Sequence, residues 1–251
     1  MRVRRRGTSP EQLPATTDDE ATMSARVLSQ IIERSTRAQA PAVKAYVARL
    51  RRAHPDAAPA DIVTKLEKRY LAAVMASGAA VGSAAAFPGI GTLAALSAVA
   101  GETLVFLEAT AVFVLAVAEV HGIPLEHRER RRALVLTVLV GEDSKRAVAD
   151  LIGPSRTNGA WLSEGAASLP LPALSQLNSR LMRYFVKRYT LKRGAMAFGK
   201  MLPVGIGAAI GGGGNRMMGK KIVTNARNAF GPAPARWPVT LHLLPAIRDE
   251  G

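Results

Sequence analysis

A run of 31 residues at positions 71–101 contains no charged side chain, and it limits the folds open to this chain more than any other feature. A stretch of this length could cross a bilayer as a helix. The sequence "PGIG" at residues 88–91 interrupts the run, which predicts two consecutive helices rather than one. Gly78 and Gly82 are four residues apart, a spacing that predicts the close approach of another helix.

A second apolar run covers residues 103–118 and includes Glu108. As a helix, its sixteen residues measure about 24 Å, which is shorter than the ~30 Å hydrocarbon core of a bilayer. A central carboxylate adds a cost of about 2.5–3.5 kcal/mol in lipid. Neither run therefore predicts an autonomous membrane span. Together they predict a buried Gly/Ala-rich helical hairpin, which is either the core of a soluble bundle or partly inserted into a membrane.

The remaining sequence also favours helices. Aromatic residues make up only 5% of the chain, and small and aliphatic residues supply most of the apolar content, which suits close-packed helices better than β-sheets. Helical spacing is clear over residues 22–52, 62–70 with Asp61 as its N-cap, 126–143, 174–200 and 207–230. The fold class is therefore predicted to be all-α, a helical bundle. We expect a disordered basic arm at 1–20, a single helical domain at 21–231 and an extended Pro-rich tail at 232–251.

Charge is distributed unevenly along the chain. The net charge is +15, and residues 176–251 carry 13 basic and 2 acidic side chains, whereas residues 71–125 carry no Lys or Arg and three Glu. Six basic residues form a stripe on the predicted helix at 174–200: Arg180, Arg183, Lys187, Arg188, Lys192 and Arg193. Such a stripe can contact anionic lipid, nucleic acid or an acidic protein, or it can simply be a solvated face.

The sequence "IGAAIGGGGNRMMGKK" at residues 206–221 resembles a phosphate-binding loop but does not meet its requirements. Gly214, Gly219 and Lys220 match most of the pattern, but Lys221 stands where Mg²⁺ coordination needs a Ser or Thr hydroxyl. No compact β-branched strand precedes the glycines. The preferred interpretation is a glycine-rich packing helix, in which Gly207 and Gly211 permit close contact with another helix.

No catalytic or metal-binding pattern is evident. The chain has no cysteine, which excludes disulfides, thiolate metal sites and cysteine nucleophiles. Glu108 and Glu119 are eleven residues apart and share a helical face; the simplest expectation is that each carboxylate is paired or faces solvent. A hydrolase would require a cleft that joins either of them to His121. We predict no cofactor, no metal and no nucleotide.

Two stretches together resemble the EcsC family. They are "GAAVGSAAAFPGIGTLAAL" followed by "AEVHGIPLEHRERRRALVLTVLVGE", and "KMLPVGIGAAIGGGGNRMMGKKIVTNARNAF". The resemblance covers about residues 60–231, and His121 stands where the family usually has Tyr. It implies a helical protein with an accessory role linked to a membrane transporter, and it carries over no cofactor or catalytic residue.

The sequence therefore predicts a non-enzymatic, membrane-associated accessory protein of the EcsC type. Its partners would be anionic lipid or a membrane protein, and its location the cytoplasmic side of the membrane, either peripheral or partly inserted. Two alternatives stay open at this stage. One is a basic helical module that binds nucleic acid or an acidic protein, and the other is a hydrolase with an unrecognised site.

Overall fold

The computed structural model describes residues 39–84, 92–152, 162, 169–197 and 207–238; for 81–84, 92–100, 149–152, 187–197 and 207–212 it describes the course of the helix but not the side chains. The described residues form seven helices and no strand, which confirms the all-α prediction. The helices are α1 (Gln39–Ala53), α2 (Pro59–Ala84), α3 (Thr92–Val120), α4 (Arg128–Val140), α5 (Glu142–Ile152), α6 (Leu171–Ala197) and α7 (Gly207–Phe230).

The two apolar helices α2 and α3 pack against each other in antiparallel directions. Near the middle of the pair, the hydroxyls of Tyr70 and Thr110 are hydrogen-bonded at 3.0 Å. Further along α2, the amide of Asn215 in α7 donates to the Val74 carbonyl at 3.1 Å and to the Glu102 carboxylate at 2.9 Å. Residue numbers therefore rise along α2 where they fall along α3, as the predicted hairpin requires.

Helix α7 packs along α2 through a glycine contact. A Cβ atom added to Gly219 would lie 3.0 Å from methyl carbons of Leu71 and Val74, so the absence of a side chain lets the helices approach closely. Farther from this contact, the Arg227 guanidinium donates two hydrogen bonds to the buried Glu67 carboxylate, at 2.7 and 2.5 Å. The N-terminus of α7 therefore lies at the same end of the bundle as the C-terminus of α2 and the N-terminus of α3.

The core lies around the C-terminal half of α3. Within this half, Ala111, Phe113–Ala118 and Val120 are nearly inaccessible to solvent. This half contacts α1, α2 and α4, and α4 in turn packs against α6. The amide of Asn178 in α6 donates to both the backbone carbonyl and the carboxylate of Glu129, at 3.0 and 2.7 Å. The apolar residues of α3 are therefore buried in the bundle core over half the length of the helix.

Burial of the predicted hairpin is uneven. Along α2, Val74 and Gly78 are buried, whereas Ala76 and Ala80 are exposed, as is most of residues 71–80. The N-terminal part of α3 is likewise open from Gly101 to Val105, apart from two half-buried positions. The described part of the hairpin is therefore buried in the second half of α3 and largely exposed over residues 71–80 and 101–105.

Two sequence predictions need correction. Helix α2 begins at Pro59, so Asp61 is the third helical residue and not the N-cap; its carboxylate accepts the Ala58 N–H at 3.0 Å. The helix predicted at 126–143 ends at Val140 because Gly141 has a φ of 74°, and a separate helix, α5, follows.

Some predictions fall on residues that the structure does not describe. The arm at 1–20, the sequence "PGIG" and the tail beyond Pro238 lie outside the described residues. The described part of the tail returns to the bundle, where the Trp237 indole N–H donates to the Ala57 carbonyl at 3.3 Å. The Arg51 guanidinium lies 4.0 Å from the centre of the same ring, a cation–π contact.

Candidate membrane-contact surface

Among the described side chains, the large exposed apolar ones are concentrated at one level of the α2–α3–α7 layer. Seven such side chains are exposed in the described part of the chain, and five of them belong to these three helices: Met75, Leu104, Val105, Met217 and Met218. Each lies within three residues of Val74, Glu102 or Asn215, the residues joined by the Asn215 hydrogen bonds. The five side chains are called the apolar ring below.

The ring extends around the layer rather than along one flat face. On α7, the side facing α2 is marked by buried Gly219, Ile222, Val223 and Ala226. At 100° per residue, Met217 is about 160° away from Gly219 around the helix, so it lies on the outer side of α7. It is also the most exposed of the five, at 72%. Exposure of this kind on a monomer marks an interaction surface when several such residues lie together.

Beyond the ring, the three helices carry no charge. Residues 75–84 of α2, 92–101 of α3 and 207–214 of α7 contain no Asp, Glu, Lys or Arg. The antiparallel arrangement brings these three segments to the same end of the bundle, which is called the charge-free end below. The sequence alone shows two of these segments as one run, but only the fold places the third beside them.

Basic side chains lie at the ring and on the side away from the charge-free end: Arg216 is at the level of the ring, and Lys220 and Lys221 lie beyond it. Arg216, Lys220 and Lys221 are exposed on α7, and α7 has no acidic residue. The nearest acid on α3, Glu102, is half-buried and accepts a hydrogen bond from Asn215, whereas Glu108 is exposed. An apolar end bordered by basic side chains is the pattern that binds anionic lipid surfaces.

The sequence-predicted basic stripe is only partly described. It lies on α6, where Arg183 is exposed and Arg180 is half-buried with an interaction of its own. The side chains of Lys187, Arg188, Lys192 and Arg193 lie outside the described residues, although their backbone is helical. The two described residues of the stripe, Arg180 and Arg183, belong to α6, whereas the apolar ring belongs to α2, α3 and α7. The basic residues next to the ring, on α7, were not among the predicted contact residues.

The structure describes the surroundings of only one of the four predicted packing glycines. Gly78 is buried in α2, whereas the surroundings of Gly82, Gly207 and Gly211 lie outside the described side chains, although all four are helical. The structure also shows a close contact between α2 and α7 at Gly219, which was not among the predicted packing glycines. This glycine also belongs to the near match to the phosphate-binding pattern. Its place in the middle of a helix gives it a packing role.

One segment of the described chain, Gly101–Val120, is long and apolar enough to cross a membrane, with a mean hydropathy of 2.0. More than half of this segment is buried within the bundle. The buried part is its C-terminal half, and the exposed part is the turn that carries Leu104 and Val105. Only one end of this helix is therefore available to lipid in this fold.

The residues of the hydrolase alternative lie on the second half of α3 or directly after it. Glu108 is exposed. Glu119 is half-buried, and burial raises the pKa of its carboxyl, an effect that nearby Lys44 opposes and Glu126 reinforces. His121 Nδ1 is hydrogen-bonded to the Val117 carbonyl at 2.8 Å. Among the described residues, no group of three His, Cys, Asp or Glu side chains could hold a metal ion.

A shallow cleft of about 570 Å³ lies beside the α1–α2 turn. Its lining includes His54, Asp56, Lys65 and Lys68, and the His54 ring is hydrogen-bonded to the carbonyl of Leu50 at 3.2 Å. The cleft is open to solvent and lacks a nucleophile held by a base. It does not supply the arrangement that a hydrolytic reaction needs.

No family model, curated protein or solved structure matches the chain.

Proposed function

We propose that this chain is a non-enzymatic, membrane-associated accessory protein that binds the anionic surface of a membrane through the apolar ring and the basic residues of α7. The observation that carries the proposal is the ring itself, five exposed apolar side chains on three helices beside a charge-free end. The EcsC resemblance supports the accessory role, and the basic residues favour the cytoplasmic side, where anionic lipids are enriched.

Two physical effects support the binding, and they act at different distances. Arg216, Lys220 and Lys221 attract anionic headgroups over about a Debye length, about 10 Å at 0.1 M salt. Each basic residue near an anionic surface contributes about 1 kcal/mol. The apolar ring then adds a contribution that salt does not screen, because it depends on the removal of apolar surface from water. A membrane satisfies both parts of the surface at once.

The nucleic-acid alternative uses only the charge. It would engage the basic stripe on α6, and its binding would weaken steeply with salt because each phosphate contact releases counterions. It leaves the apolar ring without a role. Stacking aromatics, which single-stranded nucleic acid uses, are scarce in a chain with 5% aromatic residues. The surface described here therefore favours lipid.

Fractionation of cells that express the full chain tests the proposal. We expect the protein in the membrane pellet at low salt, with a substantial part retained in 1 M salt. Purified protein should co-sediment with vesicles that contain phosphatidylserine and, more weakly, with vesicles of phosphatidylcholine alone. A chain that stays in the supernatant at low salt and does not bind either vesicle would refute the proposal.

A pair of matched variants locates the contact. Replacement of Arg216, Lys220 and Lys221 by Gln should weaken binding to phosphatidylserine vesicles at low salt. Replacement of Arg180 and Arg183 by Gln, on α6, should change it much less. The reverse result would move the lipid contact to the basic stripe that the sequence predicts. Binding to short DNA or RNA, lost in the α6 variant, would support the nucleic-acid alternative instead.

A further inference from the structure

We infer that one ordered water molecule is a fixed part of the fold at the junction of α4, α5 and α7, where Thr137, Glu142 and Asn225 hold it. The site belongs to the bundle itself and is independent of membrane association. Three observations lead to it. They are a cavity of the size of one water molecule, a buried hydroxyl that makes no helical hydrogen bond, and two oxygen acceptors in the lining of the same cavity.

The cavity lies where α4 ends and α5 begins. Its volume is about 10 Å³, and its lining includes Thr137 of α4, Gly141 at the corner, Glu142 of α5 and Asn225 of α7. A water molecule needs a cavity of roughly 10–15 Å³ and two to four polar partners. The cavity therefore has room for one water molecule, and polar groups of three helices surround it.

The hydroxyl of Thr137 is the group in this lining that most needs a partner. The residue is 1% exposed, and its hydroxyl oxygen forms no hydrogen bond with any group in the described part of the chain. On other helices, Thr64, Thr110 and Thr224 each donate to the carbonyl four residues earlier, at 3.0, 2.8 and 3.1 Å. Thr137 does not make this bond and lines the cavity instead. Since a buried hydroxyl without a partner is costly, we expect its partner in the cavity.

The corner between α4 and α5 brings the first acceptor to the cavity. Gly141, with a φ of 74°, ends α4, and a Cβ there would lie 2.6 Å from the amide nitrogen and 2.9 Å from the amide oxygen of Asn225. The missing side chain therefore makes room for this amide. The Asn225 nitrogen donates to the Val138 carbonyl at 2.9 Å. The amide oxygen, Oδ1, can only accept hydrogen bonds, and it is left as an acceptor for a group in the cavity.

Glu142 supplies the second acceptor. One oxygen of its carboxylate accepts the Asn228 amide at 3.4 Å, and the other pairs with the Lys145 ammonium at 3.1 Å. An ionised carboxylate has about four acceptor positions, so these two contacts leave it able to accept a further hydrogen bond. The carboxylate belongs to the first turn of α5, directly after the corner. The third helix of the junction therefore also provides a partner for a water molecule.

The donors and acceptors of these groups balance with one water molecule. The Thr137 hydroxyl donates to the water oxygen, and the water donates its two hydrogens to Asn225 Oδ1 and to the Glu142 carboxylate. Three hydrogen bonds are typical of a water molecule inside a protein. The water joins α4, α5 and α7 at one point, because each of these helices contributes one of its partners.

Replacement of Thr137 by valine tests for the water, because its presence and its absence predict different signs. Valine has nearly the shape of threonine and lacks the hydroxyl. With the water bound, Thr137→Val removes one net hydrogen bond, so the folding equilibrium constant from urea titrations should fall about two- to tenfold. If Thr137→Val leaves the constant unchanged or raises it, the hydroxyl has no partner to lose, and the inference is overturned. Thr224→Val, at an exposed position of α7, is the control and should change the constant little.

A crystal structure of the natural chain, at a resolution that shows ordered water, locates the molecule directly. We expect one density peak within about 2.7–3.2 Å of Thr137 Oγ1, Asn225 Oδ1 and a Glu142 carboxylate oxygen. The absence of a peak in the cavity would overturn the inference. A peak at metal–oxygen distances of about 2.0–2.6 Å would also overturn it, because it would assign the site to a cation. Vesicle binding is not expected to depend on either result, so the proposed function is tested separately.

Discussion

Replacement of the two adjacent methionines of the apolar ring, Met217→Ser and Met218→Ser, should weaken membrane binding by an amount that follows from their exposure. The side chains are 72% and 44% exposed in the free protein. Full burial of a methionine is worth about 1.5–3 kcal/mol, so removing the exposed parts from the membrane contact costs together about 2–3 kcal/mol. This corresponds to a decrease of about 30- to 160-fold in the partition coefficient.

The assay is a titration of purified protein with vesicles of phosphatidylcholine and phosphatidylserine, followed by sedimentation. The relative loss should be the same at 0.1 and 1 M salt, because the burial of apolar surface is not screened. Two controls keep the measurement specific. Met217→Leu with Met218→Leu preserves the apolar area and should bind like the natural chain. Leu171→Ser removes a comparably exposed side chain, 47% exposed, from α6 and should leave binding unchanged.

One result would refute the reasoning directly. If the double serine variant binds vesicles as tightly as the natural chain at both salt concentrations, the apolar ring does not enter the membrane. If the Leu171 variant loses as much affinity as the double variant, the contact lies on α6 instead. Thermal unfolding of each variant without lipid separates a binding defect from a loss of stability.

Two further predictions concern the fold itself. Gly141→Ala should lower the free energy of unfolding by about 2–4 kcal/mol, because Gly141 has a φ of 74° and a Cβ would lie 2.6 Å from the Asn225 amide. The control, Gly101→Ala, should be neutral or stabilising, because a Cβ there meets nothing within 4 Å. Equal unfolding midpoints of the two variants in denaturant would contradict the prediction. Glu119→Gln should raise the melting temperature at pH 7, since burial raises the pKa of this carboxyl and thus disfavours its charged form in the fold. The gain in melting temperature should shrink as the pH falls toward 4, where the carboxyl becomes protonated in the folded and the unfolded chain alike. The control, Glu108→Gln at an exposed position, should change the melting temperature little. A gain that does not depend on pH would contradict the assignment to charge.

Helix periodicity and glycine position predicted much of the fold. The spacing up to Phe230 predicted helix α7, and its C-terminal end was correct because Gly231, with a φ of 74°, ends the helix and Pro232 follows. The charge-free run predicted two helices, and α2 and α3 lie on either side of the predicted break. These signals are local, so a single sequence contains them in full.

Signals that depend on tertiary contacts were missed. The contact of Gly219 with Leu71 and Val74 was not predicted, because a spacing of four between glycines does not say which face of a helix meets a neighbour. Asp61 matches an N-cap by type, yet Pro59 two residues earlier is the stronger start signal, as the first helical position tolerates a missing N–H. The end at Val140 depends on Gly141, whose positive φ no periodicity indicates.

The basic residues of the candidate surface were not predicted from the sequence for a similar reason. The basic stripe on α6 is dense in sequence, whereas Met217, Met218 and Gly219 separate Arg216 from Lys220 and Lys221. The pair Met217–Met218 between basic residues was a signal available from the sequence. Its meaning depends on exposure, however, and exposure is set by α2, which covers the opposite side of α7.

The sequence left two interpretations of the apolar hairpin, a bundle core or a partly inserted element, and the fold shows why one pattern suits both. An apolar helix loses the same contact with water whether protein or lipid covers it, so hydropathy cannot distinguish the two coverings. Packing separates them along α3: protein covers Val114 and Ala118 completely, and it leaves Leu104 and Val105 exposed. If lipid covers the exposed end, as we propose, core and membrane contact are two ends of one helix. A bundle so built would keep its packing on leaving the membrane, because the residues that hold it together are covered by protein in either case.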